Sequence, residues 1–212
     1  MSESNPNVTA AVAHDMMVSC PDPTRRSLLL TALATGACLA TARPAAAEDD
    51  QPGSSERPQQ ADVLVFSEGE HAGEIIKSGD LKLGGPPVHA WPKDPKSSVI
   101  RKGSRLNEVL VIKLDPGELD DDTRSRSADG IVAYSVVCTH AGCPITAWVK
   151  EEAGDKNIFK CMCHNSEYDP RQSGQVVFGP APKRLAALPL AMADGALTVA
   201  AAFVGKVGAQ QG

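Results

Sequence analysis

Four of the six cysteines and two of the five histidines in this 212-residue chain fall in two short stretches, with twenty residues between His140 and Cys161. The first reads Cys138-Thr139-His140-Ala141-Gly142-Cys143 and the second Cys161-Met162-Cys163-His164. Thiolate sulfur and imidazole nitrogen are the side-chain donors that suit transition metals, so a fold for this chain must bring both stretches to one place. Each stretch offers one thiol and one imidazole, as C-x-H and C-x-x-H, and then one more cysteine, Cys143 and Cys163. Four metal ligands and one spare cysteine pair is the natural division.

Three chemistries compete for that pattern. Structural zinc takes two cysteines and two histidines, but usually as a two-cysteine knuckle and a two-histidine helix rather than one thiol and one imidazole from each loop. Two disulfides would suit an exported domain, yet they leave both histidines as bystanders, and a domain of this size does not require disulfides to fold. The third interpretation rests on a resemblance to a known family, carried by the two stretches themselves.

The stretches C-T-H-A-G-C-P at Cys138 to Pro144 and C-M-C-H-N-S-E-Y-D-P at Cys161 to Pro170 resemble the two cluster loops of Rieske iron-sulfur proteins. The resemblance implies one [2Fe-2S] cluster, with Cys138 and Cys161 on one iron and His140 and His164 on the other. It also implies a disulfide between Cys143 and Cys163 stapling the loops. Imidazole ligation leaves less negative charge around its iron, which raises the reduction potential. Ser166 and Tyr168 match the serine and tyrosine of high-potential members. There each hydroxyl donates to a sulfur and favours the reduced cluster.

Gly179-Pro180-Ala181-Pro182 is similar to the proline loop that covers the cluster in the Rieske subunit of quinol:cytochrome c oxidoreductase. Two residues depart from that subunit: Ala141 replaces the usual leucine beside the first histidine, and Asn165 replaces a glycine. These departures, with the export signal described next, are similar to the small subunit of arsenite oxidase.

Arg25-Arg26, the apolar residues 28–42 and Ala45-Ala46-Ala47 read as a twin-arginine export signal over residues 1–47, cleaved after Ala47. About fifteen apolar or small residues are too few to cross a bilayer core, so membrane association is expected only if that segment is retained. Residues 48–61 are polar with two prolines and read as a flexible leader. From residue 62 to 212, short apolar runs recur between turn signals, at residues 63–66, 108–114, 130–137, 158–161, 175–178, 188–192 and 196–203. Asp194-Gly195 marks a hairpin between the last two. The expectation is an all-β, antiparallel sandwich of the Rieske type with a small inserted cluster-binding subdomain within residues 138–182.

A net charge of −5 and eight aromatic residues give nucleic acid neither a basic groove nor a stacking platform. No hydrolytic or nucleophilic constellation is present, so no catalytic residue is assigned. His71 and His89 read as surface or packed residues and Asp120 to Asp122 as a solvated loop, while Trp148 stays open between packing and partner contact. The expected function is one-electron transfer in a periplasmic oxidoreductase of arsenite-oxidase type, between a larger redox subunit and a c-type cytochrome. The alternatives are the Rieske subunit of quinol:cytochrome c oxidoreductase and a secreted zinc- or disulfide-stapled binding module.

Overall fold

The computed structural model describes residues 51–209. The expected export signal, with Arg25 and Arg26, lies outside them. Ten strands form two antiparallel sheets: β1 Val63–Phe66, β2 Val88–Lys93, β3 Val109–Lys113, β4 Ile131–Ser135, β5 Ala147–Lys150, β6 Asn157–Cys161, β7 Ser166–Asp169, β8 Gln175–Phe178, β9 Leu190–Ala193 and β10 Ala196–Val199. The larger sheet runs β4-β3-β2-β1-β10-β9 and the smaller β5-β6-β7-β8. The smaller sheet is one insertion between β4 and β9, as the expected subdomain requires. Among the described residues no helix is long and apolar enough to cross a membrane.

Period-two alternation explains how the sheets meet. In β3, Leu110 and Ile112 face one apolar cluster and Val109 and Val111 the other; in β4, Val132 and Tyr134 oppose Ile131 and Ala133. The cluster that holds Leu110 and Tyr134 also takes Phe159 and Tyr168 from the smaller sheet, together with Cys138 and Cys161. The other cluster fills the curl of the larger sheet, with Leu64, Leu190, Leu197 and Val199. That sheet closes where Ser135 donates to the Ala186 carbonyl and Leu188 to that of Ala133, both at 2.9 Å. The β9–β10 hairpin turns on Asp194 and Gly195, both at positive φ, as Asp-Gly predicts.

Three strands lack the expected apolar signal. In β2, Pro92 stands opposite Leu64 of β1, while its carbonyl accepts from Arg101 N–H at 2.8 Å. Its missing N–H therefore points away from β1, where pairing with β3 has already ended at Ala90. β5 is only half-buried, and β7, Ser-Glu-Tyr-Asp, is buried throughout. The β7 side chain Glu167, fully buried, is neutralised by Lys160 at 2.9 Å on the paired strand. The acid run expected as a solvated loop instead starts a short helix, α1 Asp121–Ser125, which Asp120 caps by accepting from Thr123 N–H at 2.7 Å.

The segment expected as a flexible leader is tied down over residues 51–61, which corrects that reading. Buried Arg101 donates to Asp62 at 2.6 and 3.0 Å and to Glu56 at 3.0 Å. Asn107 Nδ2 donates to the Glu56 carbonyl at 2.7 Å, and Arg57 Nη1 to that of Leu106 at 3.0 Å. Composition missed this because the polar leader finds its partners 45 to 51 residues downstream.

His89 on β2 pairs with Glu108 beside β3, Nδ1 to Oε1 at 2.8 Å, both about four-fifths buried. The Glu108 hydrogen bond holds the His89 imidazolium above its ordinary range, against opposing desolvation. A histidine raised on folding stabilises most below its unfolded pKa of 6.5, and the gain disappears as pH rises through the folded value. His89→Gln should therefore lower urea stability by about 0.5–1 kcal/mol at pH 5.5 and by almost nothing at pH 9.5. An equal loss at both pH values would show that the pair carries no charge in the folded state.

Candidate metal centre

Both motif stretches are built as the same device. In the loop after β4, Gly142 N–H donates to the Cys138 carbonyl at 3.0 Å; in the loop between β6 and β7, Asn165 N–H donates to that of Cys161 at 3.0 Å. Each is a single turn closed four residues on by a left-handed residue, Gly142 at φ 75° and Asn165 at φ 59°. Asparagine tolerates that region, so Asn165 does the work of the glycine it replaces. Cys161 ends β6 opposite Ser166 at the start of β7, and the Cys138 N–H to Cys143 carbonyl bond at 2.8 Å closes the first loop.

The turns sort their side chains by depth. Cys138 and Cys161 are each 1% exposed at the floor, while His140 is half-buried and His164 exposed. The two imidazoles meet edge to face with ring centroids 4.6 Å apart. Among the described residues, His140 Nδ1 and the Ser166 hydroxyl are buried and find no protein partner. Two buried thiols, two adjacent imidazoles and two orphaned polar atoms fit a group that takes both sulfur and nitrogen donors.

Tyr168 supports the floor. Its hydroxyl lies 3.1 Å from Cys138 Sγ and accepts from Thr139 N–H at 3.2 Å. Thr139 spends its own hydroxyl proton on the Lys183 carbonyl, which leaves the Tyr168 proton for Cys138 Sγ or Thr139 Oγ1. Burial pushes the Tyr168 phenol up, with the Cys138 sulfur adding to the shift, and it pushes the Cys161 thiol up to about 12. Cys161 is thus a neutral thiol until a cation joins it.

Cys143 and Cys163, expected as a disulfide, are thiols here. Their sulfurs and that of Cys161 all lie within 4.8 Å of one another. The hydrogen bond to Cys163 raises the Cys143 pKa.

The Gly179 to Pro182 stretch bridges both loops. A Cβ on Gly179, at φ 88°, would fall 2.6 Å from the Asn165 carbonyl oxygen and from Ser166 Cα. The carbonyl of Lys183, next in the chain, is the one that accepts from Thr139 of the first loop. Pro180 and Pro182 are exposed, and Met162 and Phe178 are 59% and 43% exposed. Trp148, half-buried, packs against Phe159 at 5.4 Å and donates to the Gly84 carbonyl at 3.3 Å. Sequence reasoning passed over Arg105, whose Nη1 donates to the Gly142 carbonyl at 2.9 Å. Nothing in local sequence marks that contact, made 37 residues away.

Residues 94–189 match the family described as the Rieske [2Fe-2S] domain. The chain is similar to the cytochrome bc1 complex Rieske iron-sulfur subunit of Streptomyces lividans, 36% identical over 87 residues, covering 41% of this chain and 49% of that protein. It is similar to the subunit of the same name from Mycobacterium tuberculosis, 26% identical over 185 residues, covering 82% of this chain and 38% of that protein. The chain therefore spans about half or less of the curated relatives it matches. Among solved structures, a plasma membrane Rieske protein from Synechocystis PCC 6803 aligns at TM-score 0.37 and 23% identity, over 59% of this chain and 95% of that one.

Gly179→Ala forces a side chain into backbone at positive φ, so it should destabilise the seat of the lid on the second loop by about 1–3 kcal/mol. Thermal unfolding of the full chain checks this, and an unchanged transition would mean that the lid is not held against Asn165 and Ser166.

Proposed function

We propose that this chain, which carries a Rieske [2Fe-2S] domain over residues 94–189, is the one-electron carrier of a quinol:cytochrome c oxidoreductase. The domain binds one [2Fe-2S] cluster, which takes up and returns a single electron. In this reading Cys138 and Cys161 hold one iron and His140 and His164 the other, and a Cys143–Cys163 disulfide staples the loops. The observation that carries the ligand set is the pairing of two floor thiols with two touching imidazoles from twin turns. The quinol assignment is supported by the relatives' printed names.

The protein's own residues set the electron's energy. Tyr168 aims a hydroxyl at Cys138 Sγ from 3.1 Å, and the Ser166 hydroxyl is buried without a protein partner. A donor to sulfur binds the more negative state more tightly, so both hydroxyls raise the midpoint. Of the lid residues Gly179, Pro180 and Pro182, Gly179 seats the stretch against Asn165 and Ser166, and neither proline offers an N–H donor. Before cluster work begins, the Arg25-Arg26 signal directs export of the folded chain to the periplasm, where a larger redox subunit and a c-type cytochrome are the partners.

One observation favours the second reading, a small subunit of arsenite-oxidase type: exposed Ala141 offers only a methyl group where the quinol subunit usually presents leucine. Affinity purification of the full-length protein from its native membranes decides between them. Co-purifying b-type haem supports the quinol complex, and a molybdopterin-containing partner without b-type haem overturns it in favour of the second reading.

Tyr168→Phe and Ser166→Ala should each lower the cluster midpoint by tens of mV, since about 1.4 kcal/mol of differential hydrogen bonding is about 60 mV for one electron. Unchanged voltammograms in both variants would reduce the two hydroxyls to packing. Replacing Arg25 and Arg26 by lysine should abolish periplasmic accumulation in a fractionation assay, and undiminished export would overturn the twin-arginine reading.

A further inference from the structure

Cys143, Cys161 and Cys163 are a second donor set that cuts across the cluster ligands. Their sulfurs lie within 4.8 Å of one another, whereas the cluster reading uses only Cys161 of the three. Sulfurs bound to one zinc at about 2.3 Å are about 3.8–4.0 Å apart, so this spread is nearly closed around an ion already. The set is also graded in depth, with Cys161 buried, Cys143 half-buried and Cys163 exposed. An ion placed there is reached from solvent on the exposed Cys163 side.

We infer that the cluster-free, thiol-reduced protein binds one thiophilic d10 ion, Zn(II) or Cu(I), through Cys143, Cys161 and Cys163. Three soft sulfurs select such ions over hard divalent cations. For zinc the step balances as one ion and three thiols giving a tris-thiolate complex and three protons, with no change of oxidation state. Because Cys161 belongs to both sets, the ion and the iron-sulfur cluster exclude each other, and the loops decide between them by the state of the other two cysteines. A disulfide between Cys143 and Cys163, formed by exchange with an acceptor disulfide that is reduced to two thiols, removes two of the three donors and leaves Cys161 for iron. That last consequence rests on the disulfide reading above; the ion site itself does not.

The test uses the full chain, stripped of metal and kept reduced. Zinc titrated against a chromophoric chelator should show one tight site per chain, and Co(II) in its place should give sulfur charge-transfer absorption with the intensity of three thiolates. Cys143→Ser and Cys163→Ser should each weaken zinc binding at least tenfold, Cys138→Ser should change it by less than about twofold, and prior oxidation with oxidised glutathione should abolish it. The Co(II) spectrum of the unaltered protein keeps the test open if a variant fails to fold. Two-thiolate absorption, or equal weakening by Cys138→Ser, would place the ion in the cluster's own donors and overturn the proposal; so would the absence of a tight site. Failure to rebuild a Rieske EPR signal with iron and sulfide would instead count against the ligand set proposed for the cluster, and leaves the zinc result standing by itself.

Discussion

Strands β3 and β4 are buried on both faces, and the rest of the molecule depends on that. Their alternating side chains are the common wall of two apolar clusters, one inside the curled six-stranded sheet and one between that sheet and the inserted four-stranded one. The second cluster runs without a break from Leu110 and Tyr134 through Phe159 and Tyr168 to Cys138 and Cys161. The floor of the metal centre is thus the end of a core. Each fully buried apolar side chain there contributes about 1.5–3 kcal/mol, which is what fixes the two floor thiols in position.

How much of this was legible in the sequence follows from what each residue answers to. Strand β1 coincides with its apolar run because burial and strand propensity agree there, while β8, largely exposed, coincides with its run through strand propensity and pairing with β7. In β7 the residues Glu167 and Asp169 carry charge into the interior, where Lys160 of the paired strand neutralises Glu167 and Arg171, in the loop that follows, neutralises Asp169; an apolar pattern cannot register either partner. Pro92 hid β2 for a related reason, since the cost of its missing N–H depends on which side the neighbouring strand stops pairing. At the centre the motif residues were legible because metal chemistry dictates both residue type and spacing. Arg105, Thr139 and Lys183 were not, because they act on loop carbonyls and hydroxyls across long separations.

The same distinction explains the leader. Its glutamines, prolines and acids are the composition of a flexible segment, yet Arg101 gathers Glu56 and Asp62, and Asn107 holds the Glu56 carbonyl. A guanidinium 4% exposed cannot be left unpaired, so the chain before β1 is fastened by the demand of a residue beyond β2. This fastening reaches the centre, because the segment that receives the leader at Leu106 and Asn107 also carries Arg105, whose guanidinium holds the Gly142 carbonyl of the first loop.

Depth gives the centre its direction. On the proposed ligand assignment Cys138 and Cys161 would hold one iron from the buried floor beside the Tyr168 hydroxyl, and His140 and His164 would hold the other from the more exposed side. Sulfur donation and burial both disfavour added negative charge at the inner iron, and imidazole ligation leaves the outer iron the easier one to reduce. An added electron would then favour the imidazole-held iron, on the side of the exposed His164. The buried side needs only to stay still, which the twin turns, the lid on Gly179 and the shared core already ensure.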